Sequence, residues 1–470
     1  MNRMVATEDS RSLRIAGIAT LCTLFVVLAA VFDLDPYLVI AILLAVVVLS
    51  ALPKVVPWVA HKTRNLDLFA PWVGFPIAYI FWFVGGSINF IEAPSEIAFG
   101  SFDPIPAWMY GLYAWGLAGY FAGIAGGRFL PTRKVKAAQP QIDMAKMQTI
   151  VRWLVIGAVF FWLLTVVQFG LPILNPATAG EARLAFHGPS YQGFIILSWT
   201  AFVFSPVYIW ARGGKRRFDW FWVVCVPFGL TLLLFSLGAR ANVVAPFVTL
   251  IIARYYFRRQ AAWKIVAAAL IAFCVFSLFG YFREAASSDQ GALELLGLPA
   301  PAIPFIYSGL YVRYTVAALR DITQMIPSHF PYQYGYISTL PFATFLPGHQ
   351  DMSDIFFKNM LGREFAGSGQ PATLLAPLYA DFGWPGVFLG MSAYGALLSW
   401  TFRKAQEKPT MANVILYAWW LENVLFGLYA NGFAYINVYL MPLIFAALFR
   451  VARSGEQVPR PSTGYPLPGQ

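Results

Sequence analysis

Charged residues and cysteine are both scarce in this sequence. Only 12% of its 470 residues are charged, whereas 59% are hydrophobic. A soluble domain carries about 25% charged residues, so this composition excludes a soluble globular chain. The 3 cysteines, Cys22, Cys225 and Cys274, all lie inside apolar runs, and this placement suggests neither a disulfide framework nor a metal site.

The sequence has instead a series of apolar runs from one end to the other. Each contains roughly 18–25 residues, enough for a helix to cross a hydrocarbon core of about 30 Å. They predict an all-α protein, a polytopic membrane bundle of about twelve transmembrane helices. The first run lacks a small-residue cleavage site, so we interpret it as a retained helix. The predicted spans are approximately 14–32, 36–53, 70–90, 107–129, 150–169, 191–211, 219–237, 240–257, 262–282, 384–402, 412–429 and 433–450.

Basic residues alternate between the segments that connect these spans. Clusters of Lys and Arg follow the second, fourth, sixth, eighth and tenth spans, while segments 33–35, 92–103 and 170–190 contain few. By the positive-inside rule, this alternation places both termini in the cytoplasm. It also accounts for the net charge of +11 without any binding of nucleic acid.

The predicted bundle is divided by one large external loop. Residues 1–282 contain the first nine helices, residues 384–452 the last three, and residues 453–470 a cytoplasmic tail that we expect to be disordered. In the loop, 283–383, the spacing of apolar residues over 304–325 predicts an amphipathic helix. It would lie on the membrane surface or cover the bundle as a lid; a short structural helix closing the bundle is the alternative.

Cations are rare on the predicted external side, and six of the seven are arginine. The guanidinium fork suits bidentate contacts with phosphate or carboxylate, whereas Lys is a point charge. Arg240, in a tight external turn between two apolar runs, is the most informative, because a cation at the mouth of a bundle suggests a bound anion. Ordinary surface charge is the alternative interpretation. The external cations are Arg183, Arg240, Arg283, Arg313, Arg320, Lys358 and Arg363.

Tyrosines are frequent in the external loop, and two carboxylates stand out. Tyrosine suits sugar rings but equally the aromatic belt of a membrane interface. Asp381 is either a base, a sugar-binding carboxylate or the N-cap of a helix starting near Trp384. Glu422, near the middle of the eleventh span, is an ionisable group inside the membrane and so a functional hypothesis. It would pair with an arginine such as Arg240, or pair structurally within the bundle.

A series of motifs over about 170–400 resembles the oligosaccharide repeat-unit polymerases, also called O-antigen polymerases. In order they are GLPIL at 170–174 with Arg183 following, GAR at 238–240, RYYFRR at 254–259, GYFRE at 280–284, a long external loop, and LYADFGWPG at 378–386. The resemblance implies an inverting, metal-independent glycosyltransferase of the bacterial inner membrane that needs no cofactor. It would move a glycan from undecaprenyl pyrophosphate onto a sugar hydroxyl of the next lipid-linked unit.

The resemblance gives the candidate residues their expected roles. Arg240 and Arg283 would neutralise the leaving pyrophosphate, with Arg313 as a third contact. One of four residues would act as general base: Asp381, Glu284, Glu422 or His349. Expected partners are the lipid-linked donor and acceptor, membrane lipids, a flippase and a chain-length regulator.

Three other functions stay open at this stage. An O-antigen ligase would use the same donor with another acceptor. A lipid-glycan flippase or other transporter should carry polar or broken helices through the whole membrane depth, whereas the unusual charges here gather at one face. A purely structural assembly subunit is the third.

Overall fold

The computed structural model describes ten segments of the chain, and these segments are built from helices. Their only extended pairing is one isolated bridge between Ile142 and Arg453. Three predicted spans, 14–32, 36–53 and 262–282, lie outside the described residues, as do Arg183, Arg283, Glu284, His349 and Arg363. The described segments are 67–87, 105–131, 142–171, 189–212, 219–237, 240–257, 303–343, 353–362, 372–408 and 410–453.

Twelve α-helices lie in these segments, together with a π-helical turn at Phe221–Cys225 and a short 3-10 turn at Gly432–Ala434. In chain order they are α1 (Gly74–Ser87), α2 (Ala107–Gly127), α3 (Met144–Phe169), α4 (Pro189–Arg212), α5 (Val226–Ser236), α6 (Arg240–Phe257), α7 (Ile303–Met325), α8 (Tyr336–Ala343), α9 (Ser353–Met360), α10 (Leu375–Glu407), α11 (Met411–Phe426) and α12 (Ile436–Val451).

Each predicted span that falls on described residues coincides with helix. Two helical stretches in this part of the chain are long and apolar enough by themselves to cross a membrane, Met144–Phe169 and Pro189–Trp210. Four shorter apolar helices accompany them, at Gly74–Ser87, Phe221–Ser236, Val243–Phe257 and Ile436–Val451. The all-helical class is therefore confirmed, while the number of membrane crossings stays a prediction.

The start of α3 is fixed by one acidic residue. Asp143 Oδ1 accepts hydrogen bonds from the backbone N–H groups of Ala145 and Lys146, which satisfies the free donors of the first turn. The bond from Lys146 is the main reason that the pKa of Asp143 lies below its usual range. The cap therefore stabilises α3 above the ordinary carboxyl pKa, and this contribution is lost as the pH falls through the lowered value. Asp143 N–H also donates to Ala452 O at 2.8 Å, which ties the end of α12 to the start of α3.

The closest helix pair is α2 with α10. Gly119, Gly123 and Gly127 repeat every four residues along α2 and remove the side chains that would separate the two backbones. A Cβ atom on Gly123 would lie 1.9 Å from the carbonyl oxygen of Ser392, and one on Gly119 would lie 2.3 Å from that of Phe388. The backbones of α2 and α10 are therefore in direct contact.

Hydrogen bonds hold this pair at both ends and in the middle. At the predicted outer end, Trp115 Nε1 donates to Trp384 O at 2.9 Å. In the middle, Ser392 Oγ donates to Gly119 O at 2.9 Å. At the inner end, Arg403 donates to three carbonyl oxygens of the α2 terminus, Gly127, Arg128 and Leu130, each at 2.7 Å. These carbonyls lie at and just beyond the end of α2, so Arg403 acts as a C-cap from the neighbouring helix.

The predicted amphipathic helix exists as α7, but its predicted place on the membrane surface is wrong. Every residue from Val312 to Arg320 is buried, and α7 packs against α1 and α10. The polar residues of its middle, Arg313, Thr315 and Arg320, are buried together with the apolar ones, so this stretch presents no polar face to the surroundings. The structure agrees with the alternative, a helix that closes the bundle from within.

The glycine contact between α2 and α10 predicts a large effect from one methyl group. We expect Gly123→Ala to lower the free energy of unfolding by about 1–3 kcal/mol, because the added Cβ must displace a backbone carbonyl. Gly126 is the matched control on the same helix, since a Cβ there meets nothing within 4 Å. Gly126→Ala should be neutral or stabilising by up to about 1 kcal/mol. Thermal unfolding of the purified protein in detergent checks both, and equal effects would contradict this account.

Candidate functional site

Arg313, predicted as an external phosphate ligand, lies inside the bundle. Only 6% of its surface is exposed, and its Nη1 donates to Gly86 O and Ser87 O, both at 3.2 Å. These are the carbonyls of the last two described residues of α1, and a guanidinium is a strong donor to them. Arg313 therefore caps the described end of α1 from inside the bundle and is not exposed.

Arg320 is also withdrawn from the outer surface. It is 2% exposed, and its guanidinium meets Asp321 Oδ1 through Nη2 at 2.6 Å and through Nε at 2.9 Å. A charge buried in an apolar bundle needs such a partner, because the desolvation cost is otherwise too high. The contacts described for Arg313 and Arg320 thus lie within the bundle.

The capping contact of Arg313 can be tested by removing it. We expect Arg313→Ala to lower the free energy of unfolding by about 1.5–3 kcal/mol, since hydrogen bonds from a charged donor are lost. Arg152→Ala is the control, because Arg152 lies on the exposed side of α3. Melting temperatures of both variants in detergent measure the difference. An unchanged melting temperature for Arg313→Ala would refute the cap.

Asp381 caps a helix, but not the predicted one. Its two carboxylate oxygens accept from Ile337 N–H at 3.0 Å, Ser338 N–H at 2.9 Å and Ser338 Oγ at 2.6 Å. It is therefore the N-cap of α8, supplied from another part of the chain. The non-helical conformation of Gly383 divides α10 into two helical parts, and the second part begins near Trp384 as predicted. The Asp381 carboxylate bonds to α8 instead, so its predicted role as the cap of that second part is wrong.

A kink in α10 brings Asp381 to α8. Gly383 adopts φ 63° and ψ −144°, a conformation that other residues rarely reach. A Cβ there would also lie 2.9 Å from Tyr332 Oη. At the kink, the carbonyl oxygen of Ala380 accepts a hydrogen bond from Gln333 N–H, and that of Asp381 accepts one from Tyr334 N–H. The segment before α8 is thus bound to the kink by its backbone.

These contacts weigh against Asp381 as the base. The side chain has no exposed surface, and both of its oxygens already accept hydrogen bonds. Asp381→Ala should cost about 0.5–2 kcal/mol of stability, whereas Asp381→Asn should cost less because Asn is also a good N-cap. Thermal unfolding measures stability, and hydrogen exchange of α8 locates the effect. If Asn and Ala destabilised the protein equally, the carboxylate would be more than a cap.

Glu422 is the candidate base that the structure leaves without a partner. It lies in α11, is 2% exposed, and its Oε2 atom accepts no hydrogen bond within the described part of the chain. Five hydroxyls share this property, those of Tyr113, Ser198, Ser205, Thr249 and Thr373. Buried polar groups are normally satisfied, so a carboxylate oxygen without a partner is a candidate for chemistry or for contact with a bound molecule.

Arg240 and Glu422 belong to neighbouring helices. Arg240 is the first residue of α6, and α6 packs against both α4 and α11. The N-terminus of a helix attracts anions through its free N–H groups and its dipole. The Arg240 side chain lies outside what the structure describes, so its contact with an anion stays a prediction.

Amide side chains that join helix ends were missed by sequence reasoning. Asn437 Nδ2 donates to Gln192 Oε1 at 2.8 Å, which joins the first turns of α12 and α4. Ser190 Oγ donates to Gln168 Oε1 at 2.6 Å, which joins α4 to the end of α3. The available signal was the position of each amide at the edge of an apolar run. Over the described residues, no group of three His, Cys, Asp or Glu side chains is placed to hold a metal ion.

Comparison with known proteins gives one family and no individual relative. The family described as "Putative O-antigen polymerase" matches residues 18–441. This range runs from the first predicted span into α12 and includes both Arg240 and Glu422. No curated protein and no solved structure matches the chain significantly.

Proposed function

Since the chain belongs to the O-antigen polymerase family, whose members are membrane proteins acting on lipid-linked oligosaccharides, we propose that it polymerises oligosaccharide repeat units carried on undecaprenyl pyrophosphate. The family match over nearly the whole chain carries this proposal. The all-helical fold is compatible with it, because helices satisfy their own backbone groups in lipid.

The proposed reaction breaks one bond and forms another. The bond between the anomeric carbon of the donor glycan and the pyrophosphate oxygen breaks, and undecaprenyl pyrophosphate leaves. A hydroxyl oxygen of the next lipid-linked unit bonds to that carbon from the opposite face, which inverts the configuration. The hydroxyl proton passes to a base of the protein. No metal or cofactor takes part in this scheme.

Among the four candidate bases, we favour Glu422. It is buried in the bundle, and its Oε2 is free of the hydrogen bonds that occupy Asp381. A general base of this kind contributes about 10²–10⁴-fold to the rate. Glu284 and His349 are the alternatives.

The pyrophosphate is assigned to arginines other than the two buried in α7. Arg240 and Arg283 are the main contacts, with Arg183 and Arg363 as further ones. Their positive charge would stabilise the negative charge that develops on the leaving group.

The proposal includes a topology and partners. The chain would cross the bacterial inner membrane about twelve times, with both termini in the cytoplasm. Chemistry at the outer face would require a flippase to deliver the repeat units, and a chain-length regulator would set the product length.

A ligase is the second candidate, because it shares the lipid-linked donor. Loss of a polymerase leaves single repeat units on the final acceptor, whereas loss of a ligase leaves polymer on the lipid carrier. The glycan found on the carrier after deletion of the protein therefore separates the two. Movement of intact repeat units without bond formation would instead identify a transporter.

The proposed roles predict the effects of two substitutions in a host that lacks its own polymerase. Glu422→Gln should lower polymer formation by about 10²–10⁴-fold, since the amide cannot accept the proton. Arg240→Ala should lower it by about 10²–10³-fold, since one charge on the leaving group is lost. Separation of the surface polysaccharide by gel electrophoresis measures both.

Matched controls separate a lost reaction from lost protein. Glu407→Gln and Arg152→Ala make the same chemical changes at exposed positions and should leave the polymer unchanged. Amounts of each variant in the membrane should equal those of the wild type. Full-length polymer from Glu422→Gln at normal protein levels would rule out Glu422 as the base.

A further inference from the structure

Four large aromatic side chains are exposed around α8. Tyr334 is 77% exposed, Tyr336 52%, Phe342 48% and Phe382 50%. We call this group the α8 patch. In a membrane protein, exposed apolar side chains face either lipid or a ligand, so the chemistry of the patch must distinguish the two.

The chemistry of the α8 patch is neutral and mixed. Residues 332–343 contain no Lys, Arg, Asp or Glu, so the segment has no charged side chain. The aromatic faces alternate with hydroxyl groups from Ser338, Thr339 and two tyrosines. Within the described residues, the phenolic oxygens of Tyr334 and Tyr336 make no hydrogen bond, and so they are available to a ligand.

The α8 patch is also held rigidly. Asp381 caps α8, and the backbone of Gln333 and Tyr334 is bonded to the kink of α10. The ring of Phe342 packs on Tyr439 of α12 at 4.8 Å between centroids. The ring of Phe382 lies beside Gly335, so α8 and the α10 kink form one surface. A rigid surface loses less entropy when a ligand binds.

We propose that the α8 patch is a binding site for the glycan of the substrate, an uncharged stretch of the repeat-unit oligosaccharide. This inference rests on the proposed function, since it names where that substrate's sugars are held. Aromatic rings offer apolar faces to sugar rings, and the phenolic hydroxyls of Tyr334 and Tyr336 would bond to sugar hydroxyls, whereas those of Ser338 and Thr339 already donate within the protein. Tyr336 and Phe342 are separated by about 9 Å along the axis of α8 and by about 120° around it, so the patch covers more than one side of the helix.

The rival occupant is the lipid surface. A helix that lies on a membrane usually combines its apolar side chains with Lys and Arg, which attract anionic lipids. Residues 332–343 have none. Backbone hydrogen bonds also join this segment to the kink of α10, so it is not a separate amphipathic helix.

Binding of a defined oligosaccharide tests the proposal. The probe is the single repeat unit released by mild acid from the lipid carrier of a host lacking the polymerase. Its affinity for the full-length protein in detergent is measured by saturation-transfer NMR. We expect the double variant Tyr336→Leu, Phe342→Leu to bind at least about tenfold more weakly, because leucine keeps the surface apolar but removes the rings. The control is Phe129→Leu, an 80% exposed ring at the opposite end of α2, which should bind like the wild type.

The outcomes separate this site from the proposed function. Wild-type affinity in the double variant, at wild-type melting temperature, would overturn the glycan site. A nitroxide label at position 342, in a variant with its 3 cysteines replaced, gives a second test. Access of oxygen from the bilayer to the label, without access of a water-soluble nickel complex, would show that the patch faces lipid and would also overturn the glycan site. Polymer formation by that same double variant would leave the polymerase assignment standing. Failure of the assignment itself would appear instead as polymer made normally without the protein.

Discussion

In a lipid environment, two helices gain nothing by hiding apolar surface from water, so α2 and α10 must hold together through close packing and hydrogen bonds. The glycines of α2 bring the two backbones into contact, and Ser392 bonds across the contact. Because α10 is fixed along α2, the kink at Gly383 has a fixed place at its outer half. That kink sets the position of α8 and of everything attached to it.

Two arginines, the buried Arg313 and the half-buried Arg403, donate to backbone carbonyls of a neighbouring helix, whereas the buried Arg320 pairs with Asp321. Arg313 serves the last carbonyls of α1, and Arg403 serves those of α2. Backbone groups at a helix terminus inside a bundle cannot turn to water, and the five-donor guanidinium can satisfy several carbonyls from a neighbouring helix. A single arginine in an apolar region of a sequence therefore has two physical explanations. It binds a ligand outside the bundle, or it caps a helix end within the bundle.

The sequence was sufficient for the helices and for the family, because long apolar runs and ordered motifs are local properties. It was insufficient for Arg313, since its partners on α1 lie more than two hundred positions away. Asp381 shows the same difficulty: a strong N-cap residue was recognised, but the helix that it caps begins forty-five residues earlier. Glu422 was identified because a carboxylate in an apolar helix is unusual by itself. The glycine repeat of α2 was readable and was overlooked.

The kink at Gly383 also restricts how the length of the chain can vary. Asp381 serves α8 on one side of it, and Gly395 meets the backbone of α2 on the other. Each residue added or removed between them would turn one group by about 100° relative to the other. The number of residues in this interval is therefore fixed, as are Gly383 and Ser392 within it. The length of this interval thus fixes the angle between α8 and the pair formed by α2 and α10. We expect insertions in the loops outside it.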